Sequence, residues 1–204
     1  MSARALAVLI AQLSSALGLL LATPALLHFT GREAYGLFGV FATLQSLVFL
    51  LDLGASTSMM RETARAATEH EKEHFAQIFR LVMLYALTGA LLLMLCAVFA
   101  SGYISDTWLN VDTLPPGTVE TCIALIFLQL ALRWFSSFLR AMAIGLEWAI
   151  SASTVQTIGN ILRYGVGTAL FAWPTISITT FFAFQVVCAL IELLAFIVLL
   201  RNQF

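Results

Sequence analysis

Apolar residues fill this chain in long runs, interrupted at short intervals by glycine, proline and charge. A membrane-spanning helix needs about 20 such residues, and runs of that kind lie near 5–28, 35–59, 79–101, 119–142, 149–172 and 177–200. Turn chemistry separates them at Gly31-Arg32-Glu33, Pro115-Pro116-Gly117, Gly145-Leu146-Glu147 and Trp173-Pro174. Strands of a membrane barrel would be half as long and would alternate in polarity. The pattern therefore predicts an all-α integral membrane protein, a bundle of six transmembrane helices. The one substantial polar stretch, 61–80, has helical composition, with Arg61 and Arg65 four apart and Glu69 and Glu73 likewise. It reads as a cytoplasmic helix connecting spans two and three. No linker or charge run divides residues 1–204, which form a single six-helix domain.

Composition narrows the class. Of 204 residues, 61% are hydrophobic and 10% charged, against about 25% charged in a soluble domain. A net charge of −1 with no aromatic-basic platform excludes a nucleic-acid partner. The beginning of the chain imitates a secretory signal, with Arg4, an apolar stretch and Ala22-Thr23-Pro24-Ala25. Gln12, Ser14 and Ser15 interrupt that stretch and five more runs come after it, so it is expected as the first span. Arg4, Arg61, Arg65, Lys72, Arg80, Arg140 and Arg201 fall on one side when six spans are threaded, and Arg32 on the other. The positive-inside rule then places both termini in the cytoplasm. Trp108, Trp148 and Trp173 sit at span ends, as an aromatic belt requires.

Ionisable groups inside apolar runs are the informative exception. A charge at mid-membrane costs about 2.5–3.5 kcal/mol on insertion scales, so it persists where it faces protein or a watery cavity. Gln129, Arg133 and Arg140 lie within about 40° of one another at 100° per residue. Gln156, Asn160, Arg163 and Gly167 make a similar stripe on span five; Gln45, Asp52 and Ser56 do so on span two, and Gln185 and Glu192 on span six. Gln12 and Thr23 extend the pattern to span one. Arg133, Arg163 and Glu192 fall near mid-membrane, with Asp52 and Arg140 nearer the cytoplasmic face. Interhelical ion pairs, Arg133 or Arg163 with Asp52 or Glu192, are one reading. Stripes on four helices favour the other, a shared polar cavity. Guanidinium forks engage phosphate or carboxylate in two-point fashion, so Arg133, Arg163 and Arg140 are expected to hold an anionic head group. Gln129, Gln156 and Asn160 are expected to hydrogen-bond the same ligand, with Asp52 and Glu192 as counter-ions or ion-coupling sites. Gly159, Gly165 and Gly167 let span five pack closely or bend.

Other motifs carry less. His70-Glu71-Lys72-Glu73-His74 matches the zinc-protease pattern, yet it lies in a charged connector without a third ligand at a recognised spacing, so no metal is expected. An intramembrane enzyme would need nucleophile and base at one depth; His28 and Ser56 are poor candidates, no G-x-S-x-G occurs, and no catalytic residue is assigned. Cys96, Cys122 and Cys188 read as small buried hydrophobes. No cofactor is implied.

Gly31-Arg32-Glu33-Ala34-Tyr35-Gly36-Leu37-Phe38 leads into span two, which continues through Leu51-Asp52-Leu53-Gly54-Ala55-Ser56 to Met60-Arg61-Glu62-Thr63-Ala64-Arg65. With Leu139-Arg140-Ala141-Met142-Ala143-Ile144-Gly145-Leu146-Glu147-Trp148 and Asn160-Ile161-Leu162-Arg163, this resembles the bacterial O-antigen and exopolysaccharide flippases of the MATE-like multidrug/oligosaccharidyl-lipid/polysaccharide superfamily. The resemblance implies an N-terminal lobe that packs against a second lobe, or a second copy, in the bacterial inner membrane. It also implies a substrate, undecaprenyl-pyrophosphate-linked oligosaccharide, moved between leaflets by alternating access among membrane lipids. A multidrug exporter of the same superfamily and a non-transporting assembly subunit are the alternatives.

Overall fold

A computed structural model describes residues 3–52, 54–69, 72–103, 116–170 and 177–201. The regular elements among these residues are all helical: α1 (Ala3–Leu51), α2 (Ala55–Glu69), α3 (Lys72–Tyr103), α4 (Pro116–Gly145), α5 (Ala149–Asn160), a π-helical turn (Ile161–Val166), α6 (Gly167–Leu170) and α7 (Ile178–Arg201). Asp106, Trp108, Asp112, Trp173 and Pro174 lie outside the described residues, as do His70 and Glu71 of the zinc-protease pattern.

The first element corrects the sequence reading. Helical backbone continues for 49 residues, so the turn expected at Gly31-Arg32-Glu33 does not interrupt it. A straight helix of that length would extend about 74 Å at 1.5 Å per residue. Yet Arg4, near its start, pairs with Glu147 beside the α4–α5 turn. Gly145, in that same turn, lies against Met60 and Thr63 of α2, just past its end. The helix therefore doubles back between Gly18 and Gly36, an interval that contains Pro24. Proline removes a backbone donor and clashes with the preceding turn, which weakens a helix locally. Two antiparallel arms result. The outgoing arm meets Asn160 at Ala11 and Ser14 and Tyr164 at Gly18.

The returning arm also departs from expectation. Its helix ends at Leu51 rather than near residue 59, and Gly54, at φ 81°, starts a new direction. A left-handed φ suits glycine, which has no Cβ to clash. The bend into α2 is 47°. Asp52 caps the new helix, its Oδ1 accepting from Ser56 N at 3.3 Å and Ser56 Oγ at 2.8 Å. The 61–80 segment is thus shared between α2 and the start of α3.

Two apolar clusters mark the ends of the bundle. One gathers Leu37, Phe38 and Phe41 with Ile123, Ile126, Phe181 and Phe182. The other gathers Met59, Leu139, Met142, Ala152, Phe196 and Leu200, with Phe79 and Val82 against it. Successive helices run in opposite directions between these clusters. Arg4, Arg61, Arg65, Arg80, Arg140 and Arg201 accordingly gather toward the second end. The α4–α5 turn closes with Trp148 N donating to Ala143 O at 2.9 Å and Glu147 N to Ile144 O at 3.0 Å, and Glu147 takes φ 68°. The Arg4–Glu147 pair, at 3.1 Å, is exposed on both sides and contributes about 0–1 kcal/mol at most.

Close approach, rather than charge, holds α2 onto this turn. A Cβ at Gly145 would sit 2.5 Å from the Met60 carbonyl oxygen and 2.8 Å from Thr63 Cβ. Backbone cannot step aside as a side chain can. Gly145→Ala is therefore expected to cost about 1–3 kcal/mol, read as a lowered unfolding midpoint in detergent. An unchanged midpoint would show that α2 is free to shift.

By length and composition, three described helical stretches can cross a membrane: Ala76–Phe99, Gly117–Gly145 and Ile178–Arg201. The bent pair Gly36–Leu51 and Ala55–Ala66 makes a fourth if it counts as one span. The sequence pattern predicts six. The outgoing arm contributes an apolar helix only over Ala3–Gly18, and span five is divided at Ile161 by the π turn.

Candidate functional site

Between the two arms of α1 and helices α2, α4, α5 and α7 lies a cavity of about 600 Å³, within the range of small-molecule sites. Gln12 and Ser15 come from the outgoing arm, Gln45 and Asp52 from the returning arm, and Ser56 and Thr57 from α2. α4 supplies most of the wall: Arg133 and Arg140, with Ser136, Ser137 and Trp134. Gln156 of α5, Tyr164 of the π turn and Glu192 of α7 complete it.

Local packing explains why α4 faces this way. Trp134, at the edge of the wall, anchors α4 to α3, donating Nε1–H to the Ala86 carbonyl at 3.0 Å. Gly89 lets that indole approach; a Cβ there would lie 2.7 Å from Nε1. With Trp134 fixed, Arg133, Ser137 and Arg140 form one helical stripe toward the cavity. Arg140 Nη1 donates to Gln156 Oε1 at 2.9 Å, which orients the guanidinium and leaves its other donors for a ligand. Ser56 and Ser137 hydroxyls stand 3.5 Å apart across the α2–α4 contact.

The structure divides the residues singled out from the sequence. Arg133, Arg140, Gln156, Asp52 and Glu192 all line the cavity. Arg163 does not: it is fully buried, 0% exposed, and forms an ion pair with Glu192. Gln129 is buried behind the wall, donating to Gln185 Oε1 at 3.4 Å. Asn160 is likewise buried, donating to Ala11 O at 3.3 Å and Ser14 Oγ at 3.1 Å. These two amides and one guanidinium, expected from the sequence to face a ligand, pack between helices off this cavity wall. Of the ion-pair readings, Arg163 with Glu192 is the one formed. Cys122 and Cys188 are buried, but Cys96 is exposed, because its face of α3 has no described helix packed on it.

Arg163 lies within the π turn. Gly167 N–H bonds the Leu162 carbonyl, five residues back, so one extra residue enters the turn and shifts the phase of the helix around it. Gln185 Nε2 donates to the Arg163 carbonyl at 3.2 Å. Gly159 faces Glu192, and Gly167 faces Phe181 and Gln185. The glycines thus serve close packing against α7. The sequence pattern does not single out Tyr164 or Ser136. Ser136 stands three residues after Arg133 and is findable from that spacing, whereas Tyr164 reaches the wall through the π turn.

Among the described residues, no group of three His, Cys, Asp or Glu side chains gathers as a metal site. Glu192 is engaged by Arg163, which leaves Arg133 and Arg140 as cationic wall groups with Asp52 toward the α2 end. Such a wall can hold an anion in a surround of amides and hydroxyls. No family model, curated protein or solved structure matches this chain.

Outside the cavity, α3 and α7 present apolar surface. Leu84, Leu91, Val98 and Phe99 of α3 are more than 60% exposed, and Leu190, Ile191, Leu194 and Val198 of α7 also face outward. Water does not tolerate contiguous apolar surface of that extent, whereas lipid requires it. Fold and surface together define a helical membrane protein with a polar interior site.

Proposed function

We propose that this chain is a transport lobe: six antiparallel membrane passes around a cavity that receives the anionic head of a lipid-linked oligosaccharide, in the manner of a bacterial polysaccharide flippase. The observation that carries the reading is the cavity wall itself. Arg133 and Arg140 supply charge, while Gln12, Gln45, Gln156 and the serines supply hydroxyl-bonding partners. The doubling back of α1 supports six passes where length and apolarity alone count three or four. The gathering of basic residues at one end supports placing both termini in the cytoplasm of a bacterial inner membrane. A second lobe, or a second copy, would close the cavity from the other side.

A cationic-drug exporter would favour carboxylates and aromatics in the wall; this wall has Asp52, Glu192, Trp134 and Tyr164 beside Arg133 and Arg140, but Glu192 is already paired with Arg163. The deciding experiment is binding to the purified chain in detergent, comparing a fluorescent polyprenyl pyrophosphate with a cationic dye on a similar tail. Charge-assisted hydrogen bonds contribute about 1.5–3 kcal/mol each, so the anionic lipid is expected to bind at least about tenfold tighter. Equal affinity, or preference for the dye, overturns the reading.

A further inference from the structure

The cavity wall carries charge of both signs, and only part of it is neutralised within the protein. Its Asp, Glu and Arg residues are Asp52, Arg133, Arg140 and Glu192, and Glu192 is paired with Arg163. Among the described residues neither Arg133 nor Arg140 forms an ion pair; Arg140 is bonded to the neutral amide of Gln156. Arg133 Nη1 is buried with no hydrogen-bond partner, a costly state for a charged donor. Asp52 is unpaired as well. Its Oδ1 accepts from Ser56, and among the described residues no hydrogen bond or cation reaches its Oδ2.

These opposite charges share one stretch of wall. Ser56 Oγ stands 2.8 Å from Asp52 Oδ1 and 3.5 Å from Ser137 Oγ. Ser137 is four residues after Arg133 and three before Arg140, one helical turn from each, about 5–6 Å between Cβ atoms. Each charge is held by a neutral partner, Asp52 by Ser56 and Arg140 by Gln156. We propose that the cavity takes a zwitterionic head group: a phosphate ester whose second carbon bears a protonated amine, the unit P–O–C–C–N. The phosphate lies on Arg133 and Arg140, and the ammonium donates to Asp52 Oδ2. A purely anionic head would face like charge at Asp52, and a purely cationic one would face two guanidiniums. The unit occurs both in a lipid-linked 2-amino sugar and in an aminoethyl phospholipid. The inference rests on the proposed anion-binding reading for its phosphate and adds the amine.

The test measures binding to the full chain purified in detergent, with two pairs of fluorescent probes. One pair is polyprenyl pyrophosphate linked to glucosamine and its N-acetyl counterpart; the other is phosphatidylethanolamine and its N-acetyl counterpart. Acetylation keeps the phosphate and removes the ammonium. At least one amine probe is expected to bind about tenfold tighter than its acetylated twin, and the pair that shows the difference identifies the source. A difference confined to the phospholipid pair supports the amine site and moves the substrate from oligosaccharide carrier to phospholipid. Asp52→Asn keeps a capping oxygen for Ser56 but no charge. It is expected to bring the two affinities of that pair together, with the acetylated probe bound as tightly as by the native chain or more tightly. Equal affinities within both native pairs would make Asp52 a helix cap only and overturn the proposal, as would an amine preference that survives Asp52→Asn. Either result leaves the anion-binding reading standing if the acetylated pyrophosphate probe still outcompetes a cationic dye. If the dye wins that comparison, the phosphate seat is lost and this proposal falls with it.

Discussion

Arg163→Ala should lose about 3–5 kcal/mol of stability, the usual cost of stranding one partner of a buried ion pair. Glu192, 9% exposed, would be left beside an apolar vacancy with its main partner gone. The π turn would suffer as well, because Arg163 ties it to α7 at one point and Gln185 at another. Replacing both partners by apolar residues, Arg163→Met with Glu192→Leu, should recover much of the loss, since a buried pair is often no better than well-packed hydrocarbon. Unfolding midpoints of the two single variants and the double, closed into a cycle, give the coupling between the partners. A double variant as unstable as the sum of the singles would mean that the pair is not what α5 and α7 share.

Arg133→Ala should behave in the opposite way. It removes a cavity-wall guanidinium that holds no helix by a carboxylate of its own, so the protein should fold and reach the membrane at native level. On the proposed transport reading, export should fall steeply. In bacteria deleted for their own flippase and dependent on this chain, export of lipid-linked oligosaccharide is expected to drop by about tenfold to a hundredfold, the equivalent of one lost charge-assisted hydrogen bond or two. Arg133→Lys should restore only part, since an ammonium lacks the two-point fork. Full export by a normally expressed Arg133→Ala variant would remove this residue from the substrate path. Loss of membrane protein with loss of export would instead make Arg133 a structural group like Arg163.

The contrast between these two arginines shows what can be read in the chain. Helical period places Arg133, Ser137 and Arg140 on one face, and that face does line the cavity. Period says nothing about what packs on a given stretch of the face. Gln129 lies on the same stripe as Arg133, but α7 covers it and Gln185 takes its amide. Arg163 lies in the π turn, where stripe counting, which assumes a constant 100° per residue, no longer holds. The doubling back of α1 is legible in the run boundaries near residues 28 and 35, although the backbone there does not leave the helix. The bend at Gly54 is legible as a glycine in Leu51-Asp52-Leu53-Gly54, but its left-handed torsion depends on Asp52 capping the next helix.

Because α1 leaves and regains the same end of the bundle, Ala3–Leu51 forms a helical hairpin. A hairpin enters a bilayer as one object: its two legs can pair their exposed flanks before any later helix exists, and only its tip has to reach the far leaflet. Arg4 at the foot of the first leg and Arg61 in α2, beyond the second, would remain together on the side from which the hairpin enters. Polar groups on the facing sides of the legs, Gln12, Ser15 and Gln45, would shelter one another from acyl chains until α4 arrives to complete their surroundings.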